Sequence, residues 1–199
     1  MNRNRAKIKC VFDLCPDHHR TLSHVARTAI RAAVAGRKPD PVQNSDQRLL
    51  QPAGCFVSLH DLRPRRLRGC IGSFEAGKPM IHIVHEMAVA VLQDPRFAHL
   101  RVREQDIPSL EIEISLLSPL RPAPGPLDFD LLNDGIHLSC HGRTGCFLPQ
   151  VARETGWIRE QLLSRLCTEK MGLQPEAWKH PGAVLEIFSI LVVGPEPFE

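Results

Sequence analysis

One cysteine of this chain lies between two glycines, in the segment LRGCIG that runs from Leu67 to Gly72. Glycine has no side chain to shield its neighbour and tolerates positive φ, so the pattern predicts a thiol presented at a backbone bend with access for a small ligand. Arg68 lies two residues before Cys70, and its positive charge favours the thiolate, the reactive form of cysteine. The alternative is that Cys70 is a small core residue, because free cysteine is among the residue types most often buried.

A nucleophilic cysteine needs a group that accepts its proton, and the sequence offers His137 and Glu113 for that role. The imidazole of His137 can exchange a proton near neutral pH. The carboxylate of Glu113, on a neighbouring strand, can orient that imidazole or act as a second acid/base group. The alternative makes His137 a solvated strand histidine and Glu113 an outward-facing charge, because the sequence does not show that the three side chains converge.

Two arginines are candidates for binding an anionic ligand beside the thiol. Alternation along the strand predicts that Arg68 and Cys70 share a face, with Gly69 and Gly72 giving the ligand access to the backbone. Arg96 follows a helix-ending Asp-Pro pair, and its guanidinium offers a planar fork of donors suited to carboxylate or phosphate. The alternative for both arginines is a structural ion pair or a contact at a helix end.

Metal and cofactor sites are not predicted. His82 and His85 share a helical face but lack a third ligand. A second group has wider spacing than ordinary zinc sites: Cys10, Cys15, His18 and His19. Cys140 and Cys146 flank a predicted turn and are expected to stay reduced. We therefore expect no metal and no cofactor.

Length and composition favour one globular domain. The chain has 199 residues, of which 43% are hydrophobic, enough for a substantial core in a single domain or in a domain with a small lobe. The formal net charge of +3 is too small to indicate nucleic-acid binding. Tyrosine is absent and only 5% of residues are aromatic, which removes most of the rings that stack on bases and argues against nucleic acid as the main partner.

Seven cysteines and the amino-terminal sequence indicate the compartment. An odd number of cysteines does not suit a framework of disulfides, and residues 1–16 have no apolar stretch long enough for a signal peptide. No apolar run approaches the length of about 18 residues that a membrane-spanning helix needs. We expect a soluble, reduced, cytoplasmic protein with no membrane partner.

Hydrophobic periodicity predicts the elements that carry the candidate residues. Apolar residues recur at three- and four-residue spacing in three predicted helices, over 17–36, 79–94 and 151–171. Alternating or continuous apolar runs predict six strands, over 55–59, 66–71, 110–116, 135–139, 145–148 and 183–193. The predicted organisation is an amino-terminal extension over 1–16, one domain over 17–194 and a polar tail over 195–199.

Four motifs in order resemble the AMMECR domain family. They are LRGCIGSF from Leu67, Asp94-Pro95-Arg96-Phe97, LEIEISLLSP from Leu110 and GCFLPQVARETGW from Gly145, and the resemblance runs from about Leu22 to Val193. Bacterial proteins similar to this family are called AmmeMemoRadiSam system protein A. The resemblance implies an α+β domain with a mostly antiparallel sheet flanked by helices, and it implies no securely assigned activity.

The resemblance also bears on the candidate residues. Cys70 falls on the cysteine of the LRGCIG motif and His137 on the histidine of a Gly-Ile-His-Gly pattern, although Leu138 replaces its second glycine. Relatives also carry small residues at the position of Glu113. One hypothesis is a cysteine-dependent enzyme that acts on a small anionic carbonyl metabolite, with Cys70 in a cleft.

The second hypothesis is a ligand-binding or accessory module for Memo-type and radical-SAM partner proteins. The family name, which reflects genes found beside such proteins, implies this partnership. Radical-SAM activity in the chain itself is excluded, because no three-cysteine cluster motif occurs. The reaction, the substrate and the oligomeric state are left open by the sequence.

Overall fold

The computed structural model describes residues 12–198, which form two compact units. The first unit runs up to Leu116 and resumes at Leu191, and the second unit is Leu117–Ile190. The last strand, β7 (Val184–Pro197), contributes its end to the first unit and its beginning to the second. The fold is α+β with mostly antiparallel strand pairing, as the sequence predicts. None of the helices within residues 12–198 has the length and apolar character needed to cross a membrane.

The first unit packs two helices on one sheet whose strand order is β2-β1-β3-β7. Apolar residues of both helices and of alternate strand positions form a single core, with Leu22, Ile30 and Val57 fully buried. The elements of this unit are α1 (Pro16–Val34), β1 (Gly54–Asp61), β2 (Leu67–Ser73), α2 (Met80–Ala90) and β3 (Leu110–Leu117).

Short 3-10 turns connect α2 to β3 and bring polar residues to the edge strand β2. The turns are Val91–Gln93, Pro95–Leu100 and Glu104–Ser109. Proline cannot continue the hydrogen bonding of a helix, so Pro95 ends the helical run and starts a new turn for which Asp94 is the N-cap. The chain therefore changes direction beside β2, at the position where the sequence predicts a helix end.

The second unit has its own core beneath the strand order β7-β5-β6, and β4 also pairs with β7. Strands β5 and β6 are joined by a tight turn in which His141 and Gly142 have φ values of 50° and 70°. The remaining elements are β4 (Arg121–Pro122), β5 (Asp134–Cys140), β6 (Arg143–Phe147), α3 (Pro149–Thr155) and α4 (Arg159–Arg165).

Two predicted elements have different bounds in the structure. The helix predicted over 151–171 is broken, because Gly156 adopts a left-handed conformation with φ 68° that ends α3, and α4 leads into a π-helical turn over Leu166–Lys170. The strand predicted to end at Val193 continues to Pro197, and Phe198 is only 1% exposed because it packs in the first core. The predicted extension lies mostly outside the described residues, and Pro16 already begins α1.

The glycines beside Cys70 serve close packing. An added Cβ at Gly72 would lie 2.3 Å from Cγ of Phe56 and 2.4 Å from the carbonyl oxygen of Cys55. An added Cβ at Gly69 would lie 2.7 Å from the carbonyl oxygen of Val91. Both glycines lie within the extended strand β2 without positive φ, so the predicted backbone bend is wrong. Their absent side chains let β1 and the turn after α2 approach β2.

Substitution of Gly72 tests this packing. Gly72→Ala is expected to lower the free energy of unfolding by about 1 to 3 kcal/mol, since the new methyl group must displace the Phe56 ring or the β1 backbone. Gly77→Ala is the matched control, because its nearest new neighbour is Cγ of Glu75 at 3.8 Å. Urea unfolding of both variants measures the difference, and equal stability of the two would show that the close approach at Gly72 is unimportant.

Candidate functional site

Cys70 lies in the middle of β2 and pairs directly with Ser58 of β1. Its side chain is partly exposed, and the residue is not a member of either hydrophobic core. Gly69 and Gly72 let neighbouring elements approach on both sides of it. The interpretation of Cys70 as a buried core cysteine therefore does not hold.

The carboxylate of Asp94 holds the backbone of Cys70. Asp94 is only 3% exposed, and its Oδ2 accepts the backbone N–H of Cys70 at 2.9 Å. Its Oδ1 accepts the backbone N–H of Arg96 at 3.1 Å, the N-cap bond of the turn that begins at Pro95. One carboxylate therefore ties β2 to the turn that follows α2.

Arg96 binds both the carboxylate of Asp94 and the backbone carbonyl group of Cys70. Its Nε donates to Oδ1 of Asp94 at 3.0 Å, and its Nη2 donates to Oδ2 at 2.7 Å. The same Nη2 donates to the carbonyl oxygen of Cys70 at 2.6 Å. Cys70 is thus held at its N–H by Asp94 and at its C=O by Arg96, and we call these three residues the clasp. The Arg96 side chain is still 61% exposed, so its outer edge faces solvent.

The charges of the clasp reinforce one another. The hydrogen bonds from the Arg96 side chain, and then those from the backbone N–H groups of Cys70 and Arg96, lower the pKa of Asp94 to about 2 against the opposing effect of burial. The pKa of Arg96 is raised, first by the hydrogen bond to Asp94 and further by the negative charge of Asp94 and by interactions with Cys70. Asp94 and Arg96 are therefore an ion pair at neutral pH, with the cation beside the sulfur.

Arg68 has a different set of partners. Its Nη1 donates to Oδ1 of Asp61 at 2.8 Å, its Nη2 donates to Oδ2 of Asp106 at 3.3 Å, and its side chain is only 13% exposed. The strand register shifts at this point, because Leu59 pairs with Gly69 whereas His60 pairs with Leu67. Arg68 is left out of the pairing, as in a β-bulge, and the expectation that Arg68 and Cys70 share a face stays a prediction.

The contacts of Arg68 favour a structural ion pair, which is the alternative interpretation from the sequence. A shallow cavity of about 330 Å³ nonetheless lies beside it, and its lining includes Arg68, His99, Arg101 and Arg103. Ligand binding by Arg68, by Arg96 and by the two glycines stays a prediction. Of the two arginines, Arg96 has the more accessible guanidinium.

Glu113 lies on β3 in the first unit and is bound by Arg65. Nη2 of Arg65 donates to Oε2 of Glu113 at 3.1 Å, and its Nε donates to Glu111. His60, which sequence analysis overlooked, lies close to this group. Burial and the charge of Arg65 lower its pKa, although Glu113 and Glu111 act in the opposite direction. Within residues 12–198 the buried Nδ1 of His60 has no hydrogen-bond partner.

His137 lies on β5 in the second unit, whereas Cys70 and Glu113 lie in the first. Its Nδ1 is 3.1 Å from Oε2 of Glu186, the residue directly opposite on β7. A carboxylate in that position orients the imidazole ring. Convergence of His137, Cys70 and Glu113 on one substrate stays a prediction.

Asp94 is the site residue that the sequence analysis missed. The Asp-Pro pair is interpreted there as a helix stop, and its aspartate is not considered further. The available signal is the short spacing of Asp94 and Arg96, since an N-cap aspartate can bind the arginine that follows two residues later. That the same carboxylate also reaches Cys70, 24 residues away in sequence, is visible only in the structure.

None of the histidines and cysteines weighed as metal ligands in the sequence belongs to the group of close donor atoms found among residues 12–198. His18 binds Asp46 through Nε2 at 2.9 Å and accepts the backbone N–H of Cys15 through Nδ1, so it has a structural role. Cys10 lies outside the described residues. The donor atoms that do come together belong to Cys140, His141 and His180 of the second unit.

Comparison with known proteins places this chain among similar ones over most of its length. A model of the AMMECR1 family matches residues 23–193. The chain is 36% identical over 179 residues to a protein of Methanothermobacter thermautotrophicus, covering 84% of this chain and 89% of that protein. It is 34% identical over 170 residues to protein MJ0810 of Methanocaldococcus jannaschii, covering 82% and 83%.

A solved structure has a similar fold. The crystal structure of the uncharacterized protein PH0010 from Pyrococcus horikoshii is similar to this fold with a TM-score of 0.77 and 27% sequence identity. The match covers 88% of this chain and 90% of that one.

The buried carboxylate generates a stability prediction. A pKa lowered from 3.8 to about 2 corresponds to roughly 2 kcal/mol of stabilisation. Because the folded-state value is the lower one, this contribution is complete above about pH 5 and is lost as the pH falls from 4 towards 2. Asp94→Asn is expected to destabilise the protein by several kcal/mol at pH 7, since the amide cannot balance the guanidinium and turns a donor towards it.

The measurement is urea unfolding at pH 7 and at lower pH, with the exposed Asp40→Asn as the control. The difference in free energy of unfolding between wild type and Asp94→Asn should narrow below pH 4, because the unfolded wild type then takes up a proton at Asp94 and the folded protein loses its advantage. A gap that is small at pH 7, or that does not change with pH, would contradict an ionised Asp94 in the folded state.

Proposed function

The chain belongs to the AMMECR1 family, and we propose that it is a cysteine-dependent enzyme that acts on a small anionic carbonyl compound at Cys70. The observation that carries this proposal is the clasp. It fixes both backbone polar groups of a partly exposed cysteine and holds a guanidinium beside the sulfur. A structural cysteine on an edge strand does not need either feature.

In the proposed reaction the Cys70 thiolate adds to the carbonyl carbon of the substrate. A C–S bond forms, and the π electron pair of the C=O bond moves to oxygen, which becomes an oxyanion or takes up a proton. The substrate's own anionic group binds Arg96. The Arg96 side chain is 61% exposed although it takes part in the clasp, so its guanidinium is accessible to a ligand from solvent.

The thiol proton needs an acceptor, and three groups are candidates. His137 and Glu113 are those proposed from the sequence. His60 is the third, because it follows Ser58, the direct partner of Cys70, by two residues on β1, and side chains two residues apart share a face of a strand. Burial lowers the pKa of His60, so it is a neutral base at pH 7.

The anionic character of the substrate is proposed from the exposure of Arg96. Ion pairing with a buried aspartate fixes the direction of the guanidinium before any ligand arrives, which reduces the entropy lost on binding. In the proposed complex a carboxylate or phosphate group of the substrate accepts hydrogen bonds from the guanidinium of Arg96. Recognition and reaction therefore use one short segment, from Asp94 to Arg96, together with Cys70.

Alkylation kinetics test this proposal directly. We expect iodoacetamide to modify Cys70 before the other cysteines, as identified by mass spectrometry of peptides from the native protein. The anionic reagent iodoacetate should gain rate from Arg96. One unit charge at about 4 Å in water is worth roughly 1 kcal/mol, or about fivefold in rate. Arg96→Gln should lower the ratio of the iodoacetate rate to the iodoacetamide rate by about that factor.

Arg101→Gln is the control, since Arg101 is exposed and lies outside the clasp. Thermal melting of each variant shows whether a lost rate reflects unfolding. Preferential labelling of Cys15 or Cys146 with Cys70 untouched would overturn the enzyme proposal and favour the ligand-binding or accessory module. If Arg96→Gln does not change the ratio of the iodoacetate rate to the iodoacetamide rate, Arg96 does not contribute to anion recognition.

A further inference from the structure

The end of the β5–β6 hairpin brings one thiol and two imidazoles together. Cys140 is the last residue of β5, His141 begins the turn, and His180 follows the 3-10 turn Ala177–Lys179. One donor atom from each of these residues lies within 4.8 Å of the other two. The two imidazole rings also contact each other, with centroids 4.4 Å apart.

We propose that Cys140, His141 and His180 form a Zn²⁺ site with one coordination position open to an exchangeable ligand. Thiolate sulfur and imidazole nitrogen are the usual zinc donors. Around a tetrahedral ion with bonds of 2.0 to 2.3 Å, donor atoms lie about 3.5 Å apart. Because the donor atoms lie within 4.8 Å of one another, they need to approach by about 1.3 Å at most, which side-chain rotation of two exposed histidines can provide.

The thiol is already placed as a fixed ligand. Cys140 is 3% exposed and packs in the second core, while its Sγ lies 3.5 Å from the carbonyl oxygen of Ala177. Ala177 begins the turn that leads to His180, so the thiol contacts the segment that carries the third ligand. The two histidines are exposed, which gives an ion a path from solvent to the buried sulfur.

The turn geometry does not by itself require an imidazole at position 141. His141 and Gly142 both have positive φ, the conformation of a tight hairpin turn in which asparagine and glycine are favoured. Asparagine therefore fits the same backbone and lacks the ring nitrogen. This allows the ligand to be removed without disturbing the hairpin.

The hydrogen bond between His180 and the backbone of Gly182 allows a second measurement of zinc binding. Nδ1 of His180 accepts the backbone N–H of Gly182 at 3.0 Å, so the neutral ring carries its proton on Nε2. Zinc binding through Nε2 requires that proton to leave this atom, and a proton then placed on Nδ1 displaces the Gly182 bond. Binding through Nδ1 displaces the bond directly. In either case the Gly182 amide loses its partner, and Cys140 gives up the thiol proton as the Zn–S bond forms.

Three protein ligands with an open position are the ligand count of catalytic zinc sites rather than of structural ones. His180 also lines a cavity of about 380 Å³, together with Leu138, Trp178, Lys179 and Leu185. The cavity has room for water or a small anion as the fourth ligand. The sequence-based expectation of no metal fails to find this set because His180 follows Cys140 by 40 residues.

Zinc affinity is measured by competition with a chromophoric chelator for wild type, His141→Asn and His180→Gln. Even the loss of an outer-shell partner of a metal ligand costs about 10- to 100-fold in affinity, so each ligand variant should bind at least about tenfold more weakly. His24→Asn and Cys146→Ala are the controls, an exposed histidine on α1 and the thiol on the opposite face of the same hairpin. Both should bind like wild type.

Two spectroscopic readouts locate the ion. Cobalt substitution should give a sulfur-to-metal charge-transfer band that is absent from Cys140→Ala, with thermal melting to check that this variant folds. Zinc should also shift the Gly182 amide resonance in wild type and leave it unchanged in His180→Gln. Absence of zinc binding by wild type, or equal binding by wild type and both histidine variants, would overturn the proposal.

Discussion

The carboxylate of Asp94 is almost completely removed from water, and burial of a charged group is unfavourable unless donors replace the lost hydration. Here the donors are two backbone N–H groups and a guanidinium that reaches both oxygens. Each of them also has a structural consequence. The bond from Cys70 fixes β2, the bond from the Arg96 backbone starts a turn, and the side-chain bonds orient Arg96. The geometry around the thiol therefore depends on one ionised group.

Each unit contains one cysteine that lies close to other polar side chains, but these side chains differ between the units. In the first unit, an edge strand and a helix-ending turn hold a partly exposed thiol beside a cation. In the second, a tight hairpin turn carries a buried thiol and two exposed imidazoles. In the first unit the missing Cβ atoms of Gly69 and Gly72 allow a close approach, and in the second the positive φ values of His141 and Gly142 form the turn. Glycine residues near each group thus help to set the positions of the reactive side chains.

Local patterns were sufficient to predict most elements but not the contacts among them. The alternation from Leu110 to Leu116 predicts β3, and the three- and four-residue spacing up to Gly36 predicts α1. The helix over 151–171 is broken at Gly156, because periodicity does not show that this glycine takes a left-handed conformation. The register of β2 against β1 also shifts at Arg68, and alternation within one strand does not predict such a bulge.

The candidate site could also be predicted only in part from the sequence. Cys70 and Arg96 can be selected from the sequence, because Cys70 lies between two glycines and Arg96 follows an Asp-Pro pair. The importance of Asp94, the pairing of Arg68 with Asp106 and the proximity of His180 to Cys140 depend on contacts between residues 24 to 40 positions apart. Such contacts follow from the packing of whole elements, which the spacing within one element does not determine.

The measurement that tests the central role of Asp94 most directly is a carbon-13 NMR titration of its side-chain carboxyl in the folded protein, assigned with the Asp94→Asn variant. A clasp of the observed geometry predicts a midpoint at about pH 2, with no further change between pH 4 and 8. A midpoint near 4, the ordinary value for aspartate, would contradict an ionised carboxylate bound by Cys70 and Arg96, and the thiol site would lose its support.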